Sequence, residues 1–243
     1  MDAPAPAPPD PEALARALDA TWPPAAMRRL GPVTLREGAG GGGRVSAATV
    51  DGPWTEADLR AAEAGMDRPL WRVRAGEAAL DAALAARGYR RRDPTRVWWG
   101  ETARLAPEAP ARLTGFAVWP PVAAMRDLWA EGGVGPARLA VMARASEPRT
   151  GILLRVSDRP AGVAFVAACG PVACAHAIHI APALRRRGAG RLALAHAAWW
   201  ARGVGARHLA LAVTDGNAAA NALYEGAGMT PAPGYHYRVQ EEP

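Results

Sequence analysis

The residue types best suited to binding and chemistry are concentrated between residues 176 and 191. Three consecutive arginines are followed at once by Gly-Ala-Gly and the predicted start of a helix. Glycines let a backbone turn tightly, and the free N–H groups of a first helical turn favour anions, above all phosphates. An arginine side chain keeps its charge at neutral pH. This turn therefore suits a phosphate-binding loop made of Arg185, Arg186, Arg187, Gly188, Ala189, Gly190 and Arg191, although such a turn taken alone is more often an ordinary strand–helix connection.

A second patterned block lies one predicted helix and one predicted strand after this loop. It begins at Asn217, which suits the N-cap of a short helix, and it carries Tyr224 within that helix. A tyrosine alone is more often a core residue. A phenol with a pKa of about 10 nevertheless stays protonated at neutral pH and suits a proton donor. Tyr224 is therefore the candidate catalytic acid.

The two blocks, taken in order, resemble those of the GNAT superfamily of acyl-CoA N-acyltransferases. The family's phosphate loop reads Arg/Gln-x-x-Gly-x-Gly/Ala, and residues 185–190 match it in full. Its later block reads Asn-x-x-Ala-x-x-Leu-Tyr-x-x-x-Gly-Phe. Five positions of that block match, and Met229 replaces the aromatic residue, the matches being Asn217, Ala220, Leu223, Tyr224 and Gly228. The resemblance covers roughly residues 115–240.

The resemblance implies a mechanism with acetyl-CoA as cosubstrate and a primary amine of a small molecule or peptide as acceptor. The pantetheine arm would lie where two parallel strands separate, against the backbone of Ile178, His179 and Ile180. Asn217 and Tyr224 would complete the cofactor-binding set. The amine would attack the thioester directly, and Tyr224 would protonate the departing thiolate.

The general base is less obvious in this sequence. Several relatives carry a glutamate on the strand before the phosphate loop, and Cys174 stands at that position. Strand alternation predicts that Cys174, His176, Ile178 and Ile180 share one face. His176 is the candidate base, directly or through water, although a core histidine or a reaction without a dedicated base are alternatives.

The predicted elements indicate an α/β fold with a mixed sheet. Three strands are predicted between residues 152 and 180, helices and strands alternate from residue 188 onward, and a smaller α/β unit precedes them. The N-terminal half resembles the degenerate GNAT-like domain of two-domain relatives. Residues 33–37 and 44–50 are predicted to be two strands joined by the glycine loop of residues 38–43. No helix is expected after that loop, so this half is predicted to lack a phosphate loop. The predicted organisation is a disordered Pro/Ala tail over 1–11, a degenerate domain over 12–106 and a catalytic domain over 107–243.

Composition excludes several other classes of protein. Half of the 243 residues are hydrophobic, yet no apolar run approaches the length of a membrane helix, and no secretory signal is recognisable. The two cysteines predict neither a disulfide framework nor a metal site, which favours a cytoplasmic location. All 29 basic residues are arginine, giving a net charge of +6. The aromatic motifs of RNA-binding modules are missing, so a nucleic acid is not the expected partner.

Two functions remain open at this point. The first is an acetyl-CoA-dependent N-acetyltransferase. The second is a catalytically silent acyl-CoA-binding regulatory module, which the missing carboxylate at Cys174 favours. No pattern identifies the acceptor or the oligomeric state.

Overall fold

An eight-stranded mixed sheet organises residues 7–240, the part of the chain that this computed structural model describes. The strands are β1 (Ala26–Leu30), β2 (Val33–Glu37), β3 (Thr49–Val50), β4 (Leu70–Arg74), β5 (Arg90–Glu101), β6 (Gly115–Val118), β7 (Arg149–Val156), β8 (Arg159–Cys169), β9 (Val172–Ile180), β10 (His208–Thr214) and β11 (Thr230–Val239). The helices are α1 (Pro11–Ala20), α2 (Gly43–Ser46), α3 (Glu56–Ala64), α4 (Ala78–Ala86), α5 (Thr102–Leu105), α6 (Ala123–Glu131), α7 (Pro136–Arg144), α8 (Ala189–Gly203) and α9 (Ala218–Gly226).

The large sheet has the order β4-β11-β5-β10-β9-β8-β7-β6, and β1-β2-β3 form a separate antiparallel sheet. Strands β9 and β10 are parallel, as a strand–helix–strand unit requires, and their other neighbours are antiparallel. The predicted mixed α/β fold is confirmed.

The two halves of the chain exchange strands near one edge of this sheet. Strand β11 pairs with β4 on one side and β5 on the other, and β5 pairs in turn with β10. The pairs Arg74–Tyr235 and Thr95–Thr214 lie at matching positions of the two ladders, as do their neighbours. Strands β4 and β5 thus correspond to β10 and β11 by an approximate two-fold repeat.

The repeat extends to the helices that join these strands. Helices α4 and α9 each end beside a glycine with positive φ, Gly88 and Gly228, which closes the turn into the next strand. Leu84 of α4 occupies the position that Tyr224 occupies in α9. The N-terminal copy therefore carries a buried leucine where the C-terminal copy carries the candidate acid.

Helices cover both faces of the C-terminal strands. Helix α8 packs an alanine-rich face on β7 to β10, together with Leu194, Tyr224 and Met229. The opposite face is covered by α6 and α7, through residues such as Trp129 and Met142, and by α1. These two layers leave the ends of β9 and β10 accessible between them.

Most predicted elements are confirmed, but the N-terminal half differs from the prediction around α2 and at β1. Residues 44–50, predicted as a strand, form helix α2 and the short strand β3. A helix does follow residues 38–43, contrary to the prediction. The strand β1 was not predicted, because its sequence AMRRL is largely exposed and lacks apolar alternation.

The predicted disordered tail also differs from the structure over residues 7–11; residues 1–6 lie outside the described part. Pro9 is buried, Asp10 accepts a hydrogen bond from Ala13 N at 3.0 Å, and Pro11 begins α1. His208 Nε2 lies 3.0 Å from the carbonyl oxygen of Ala7. Asp10 as the N-cap and Pro11 at the first helical position explain why α1 begins inside the segment predicted to be a disordered tail. The division at residue 106 stays a prediction, since strands from both sides of it share one sheet.

Candidate functional site

Two parallel strands separate at the centre of the C-terminal half, as the sequence predicts. Strands β9 and β10 pair only from Val172–His208 to Cys174–Ala210. Beyond Cys174, β9 continues beside β8 to Ile180, while β10 continues beside β5 to Thr214. A wedge therefore opens between the ends of the two strands, with unpaired backbone on both sides.

A β-bulge shapes the β9 side of this wedge. His176 lies opposite Phe165 and His179 opposite Val163, so Ala177 and Ile178 face a single residue of β8. Ala177 takes a positive φ of 47° at this point. The bulge interrupts the alternation of side chains, and the prediction that His176 and Ile178 share a face is wrong.

The bulge sends the predicted site residues of β9 to opposite sides of the sheet. Ile178 and Ile180 are partly buried and pack with the α8 layer. His176 lies on the other face, against Trp22 and Phe165. His179 also lies there, with Nε2 3.6 Å from Glu131 Oε2. A binding role for His179 would therefore use its backbone.

The predicted phosphate loop follows β9 directly. A 3-10 turn at Pro182–Leu184 leads into three exposed arginines, and α8 begins after Gly188. Gly188 is the N-cap, with a φ of 81°. An L side chain is strained at that angle, so the glycine is needed for the turn. The first turn of α8 then presents its free N–H groups at the open end of the wedge.

The arginines of the loop play different structural parts. Arg185 Nε donates to the carbonyl oxygen of Ile180 at 3.1 Å, which ties the loop to the end of β9. Arg191 Nη2 donates to the carbonyl oxygen of Gly226 at 3.0 Å, which ties α8 to α9. Arg186 and Arg187 are exposed and make no ion pair within residues 7–240. Their charges are available to an anion.

Gly190 allows α8 to approach α9 closely. A Cβ added at Gly190 would lie 2.8 Å from Leu223 Cδ2, which is closer than real side chains approach. Ala189, the residue before it, is buried. The second glycine of the loop therefore has a packing role, and the first has a conformational one.

Tyr224 lies on α9, the helix that follows β10. Its side chain is buried beside Trp98, with ring centroids 6.5 Å apart, and burial raises the pKa of the phenol to about 12. The hydroxyl makes no hydrogen bond to any residue in the described range 7–240. It is a protonated donor that no protein acceptor occupies.

Asparagines fix α9 to the end of β10. Asn217 is the N-cap of α9, and its side chain accepts from Ala220 N at 3.2 Å. Asn221 was not predicted. Its Nδ2 donates to the carbonyl oxygens of Thr214 and Asn217, and its Oδ1 accepts from Trp98 Nε1 at 2.9 Å. Helix periodicity places Asn221 one turn after Asn217, which is the signal that could have found it.

His176, the candidate base, has both ring nitrogens engaged. Thr21 Oγ1 donates to the carbonyl oxygen of Ala17 at 2.5 Å, so it accepts from His176 Nε2 at 2.8 Å. Nδ1 then accepts from Arg44 Nη2 at 2.9 Å. Burial and the neighbouring guanidinium hold the pKa of His176 well below its usual value. The imidazole is neutral, and the network assigns its proton to Nε2.

A cavity of about 310 Å³ reaches this histidine from the face opposite α8. Its walls come from the loop before α2, from β9 and β10 at the wedge, and from Tyr235 and Tyr237 of β11. Arg44, Arg92 and Arg138 line it, and Asp93 is its one carboxylate among the described residues. Tyr235 and Tyr237 thus both line this cavity, while His236 points to Asp81 of α4.

Within residues 7–240 no helix is long and apolar enough to cross a membrane. The same residues contain no group of three or more His, Cys, Asp or Glu side chains that could hold a metal ion.

Comparison with known proteins agrees with this arrangement. The sequence model described as "Acetyltransferase (GNAT) family" matches residues 121–229. No curated protein matches the chain significantly. Among solved structures, a GCN5-related N-acetyltransferase from Kribbella flavida is similar with a TM-score of 0.70 and 21% identity, over 96% of this chain and 94% of that one.

Two further solved structures share the fold across nearly the whole chain. A conserved protein of unknown function from Staphylococcus epidermidis has a TM-score of 0.68 at 9% identity, covering 93% of this chain and 96% of that one. A tandem GNAT protein from the clavulanic acid biosynthesis pathway has a TM-score of 0.57 at 18% identity, covering 100% and 91%. The segment of residues 121–229, which holds the wedge, the glycine turn and Tyr224, thus matches the model of the GNAT acetyltransferase family, and the chain shares the fold of these solved structures.

Proposed function

We propose that this chain is an N-acetyltransferase that moves an acetyl group from acetyl-CoA to a primary amine in a ternary complex. One observation supports the proposal above all. The glycine turn before α8 and the bulged end of β9 lie beside the opening between β9 and β10, and Tyr224 packs in the same hydrophobic cluster as Ile178 and Ile180.

The residues present suit an acyl-CoA at this opening. The exposed guanidiniums of Arg186 and Arg187, with the first-turn amides after Gly188, would hold the diphosphate. The unpaired backbone at Ile178 to Ile180 would hold the pantetheine amides. The bound thioester supplies the acyl group. The N-terminal copy offers no equivalent, because Glu56 and Asp58 occupy the first turn of α3 and repel anions.

The backbone of the bulge would polarise the acyl carbonyl. Ala177 and Ile178 lie where β9 has one more residue than β8 and no longer pairs with β10, so amides there are free to donate. Fixed donors aimed at developing negative charge are worth several kcal/mol in acyl transfer. Holding the amine beside the carbonyl adds the advantage of effective concentration.

Tyr224 would protonate the departing thiolate. Its pKa of about 12 keeps the phenol protonated throughout the working range of pH. Asn217 acts through the cap that starts α9, and Trp98 with Asn221 holds the helix against β10. Asn217 is therefore a positioning residue for Tyr224 as well as a candidate cofactor contact.

The hydrogen bonds of His176 change its proposed part. Both ring nitrogens of His176 are engaged and the imidazole is neutral. We therefore assign to His176 the role of positioning Arg44 in the cavity of about 310 Å³, where we place the acceptor amine. Cys174 is no substitute, because complete burial raises the pKa of its thiol to about 11. The amine would lose its proton to water in the cavity.

A silent acyl-CoA-binding module is the second candidate function. The engaged nitrogens of His176 and the inert thiol of Cys174 favour it, since neither supplies a base. The two candidates bind the same cosubstrate and differ only in turnover. Neither cysteine is in a disulfide, which suits a reducing cytoplasm as the proposed location.

Calorimetric titration of acetyl-CoA, followed by a free-thiol turnover assay with an amine panel, tests the proposal. The double variant Arg187→Glu, Gly188→Glu should lose binding, whereas Arg60→Gln, an exposed arginine of α3, should keep it. Failure of the folded wild type to bind acetyl-CoA would refute both candidates. Binding without turnover of any amine would leave the silent module.

A further inference from the structure

An arginine without a carboxylate partner lies beside the bulge. The guanidinium of Arg44 donates to the neutral His176 at Nδ1 and stacks on Trp22, with its carbon 5.4 Å from the ring centroid. Neither contact neutralises its charge. The network that fixes Arg44 runs through His176 and Thr21 to the carbonyl oxygen of Ala17, so the side chain is held in place before any ligand arrives.

The nearest carboxylate is already committed to other arginines. Asp19 pairs with Arg72 at 2.9 Å and with Arg36 at 3.3 Å. Those guanidiniums, with a contribution from Arg44, lower the pKa of Asp19 even though burial opposes the shift. Asp19 forms ion pairs with Arg72 and Arg36 but not with Arg44, and it shares one negative charge among the three arginines, so it offsets the charge of Arg44 only in part.

A second guanidinium faces the same cavity from α7. Arg138 Nη2 and Nε lie near Gly42, the residue before α2, and the side chain is exposed without an ion pair inside residues 7–240. Arg92 and Asp93, which also line the cavity, form a pair of their own at 3.6 Å. The cavity thus holds two arginines, Arg44 and Arg138, that form no ion pair with a carboxylate of the described range.

We propose, on the basis of the proposed acetyltransferase function, that the acceptor is a small amine bearing a carboxylate that Arg44 and Arg138 bind. Arg44 touches His176, the residue immediately before Ala177 of the bulge, so a carboxylate there is a few bonds from the reacting amine. Arginine matches a carboxylate with paired N–H donors. A cavity of about 310 Å³ suits a small molecule rather than a protein surface.

The rest of the acceptor has an apolar space beside the arginines. A cavity of about 670 Å³ shares Arg44 and Tyr235 with the first and is lined mainly by Leu14, Leu18, Val97 and Trp99, with prolines around them. A carboxylate at the junction would let an apolar substituent enter this space. An α-amino acid with an apolar side chain has its amine, carboxylate and substituent on one carbon and is the simplest molecule of this class.

The test uses the full chain with saturating acetyl-CoA and measures thiol release. The panel contains the apolar α-amino acids, each paired with its neutral amide and its aminophosphonic acid analogue. Loss of a hydrogen bond to a charged group lowers kcat/KM by about tenfold to a hundredfold. The kcat/KM of each acid should therefore exceed that of its amide by at least about tenfold. The phosphonic analogues report whether the site takes a carboxylate or any oxyanion.

Three variants connect the preference to the cavity. Arg138→Gln is an exposed change that does not disturb the core, and Arg44→Gln removes the fixed guanidinium. Both should reduce the ratio of acid to amide at least tenfold, mainly through KM, and leave acetyl-CoA affinity unchanged. Arg60→Gln, outside the cavity, should leave the ratio intact. Equal turnover of acids and amides, turnover of neither while acetyl-CoA still binds, or an unchanged ratio in Arg138→Gln would overturn the inference. Loss of acetyl-CoA binding by the wild type would instead refute the proposed function.

Discussion

Replacing Tyr224 with phenylalanine separates its chemical role from its packing role. The phenol ring lies in the core beside Trp98, but the hydroxyl makes no hydrogen bond to residues 7–240. The change keeps the ring and removes one unpartnered polar atom. We therefore expect the free energy of unfolding to stay the same or rise by up to about 1 kcal/mol.

Activity should respond in the opposite direction. A positioned general acid contributes about 10²–10⁴-fold, and a thiolate is a good leaving group, so we expect the lower end, about a hundredfold in kcat. The affinity for acetyl-CoA should change by less than about twofold. Because burial raises the pKa of the phenol to about 12, the wild type should show no loss of activity from this group below about pH 10.

Thiol release, calorimetry and denaturant unfolding on the same two proteins decide the question. Leu84→Ala, a cavity-forming change at the equivalent position of the N-terminal copy, serves as the control, because it should cost about 2–5 kcal/mol of stability. Unchanged kcat in Tyr224→Phe would refute the role of the acid. If Tyr224→Phe instead lowered the free energy of unfolding and lost activity in proportion, Tyr224 would have a packing role and no chemical one.

Three other results follow from the structure. Gly188→Ala should lower the free energy of unfolding by about 1 kcal/mol, because φ is 81° there, and should weaken acetyl-CoA binding. Gly203→Ala, at the other end of α8, should change neither quantity. Similar unfolding and binding calorimetry for the two variants would contradict the special role of Gly188. Arg238 and His236 lower the pKa of Asp81 to about 2, so the ionised carboxylate should contribute about 2 kcal/mol of stability above pH 4 that is lost between pH 4 and 2. The free energy of unfolding of Asp81→Asn, measured against pH, should lack that step. A step retained in the variant would exclude these ion pairs as its cause. The pH profile of kcat/KM should follow the pKa of the amine, and a limb that vanishes in His176→Gln would restore His176 as the base.

The sequence predicted with good accuracy the elements around the opening where we propose that acetyl-CoA binds. The arginine–glycine turn, α8, β10 and α9 have strong local signals, namely positive-φ glycines, an N-cap and apolar strands, and the structure places them as expected. Local signals suffice there because each element contacts its neighbour in the chain.

The cavity of about 310 Å³, where we place the acceptor, could not be predicted in the same way. Arg44 lies in a segment interpreted as a strand, and only the fold brings it to His176, more than a hundred residues away in the chain. The bulge at Ala177 depends on pairing with β8, which a period-two pattern does not reveal. The exchange of β5 and β11 likewise depends on partners distant in sequence.

The position of β11 has a consequence for how this chain reaches its final state. It is the last strand of the described chain, yet it lies between two strands of the N-terminal half. During synthesis, β4 and β5 therefore emerge long before the strand that separates them, and they expose unpaired edges in the meantime. Such distant pairings slow folding. We expect truncation before residue 230 to leave both halves prone to aggregation, so that the family-matched segment cannot be isolated as a working unit.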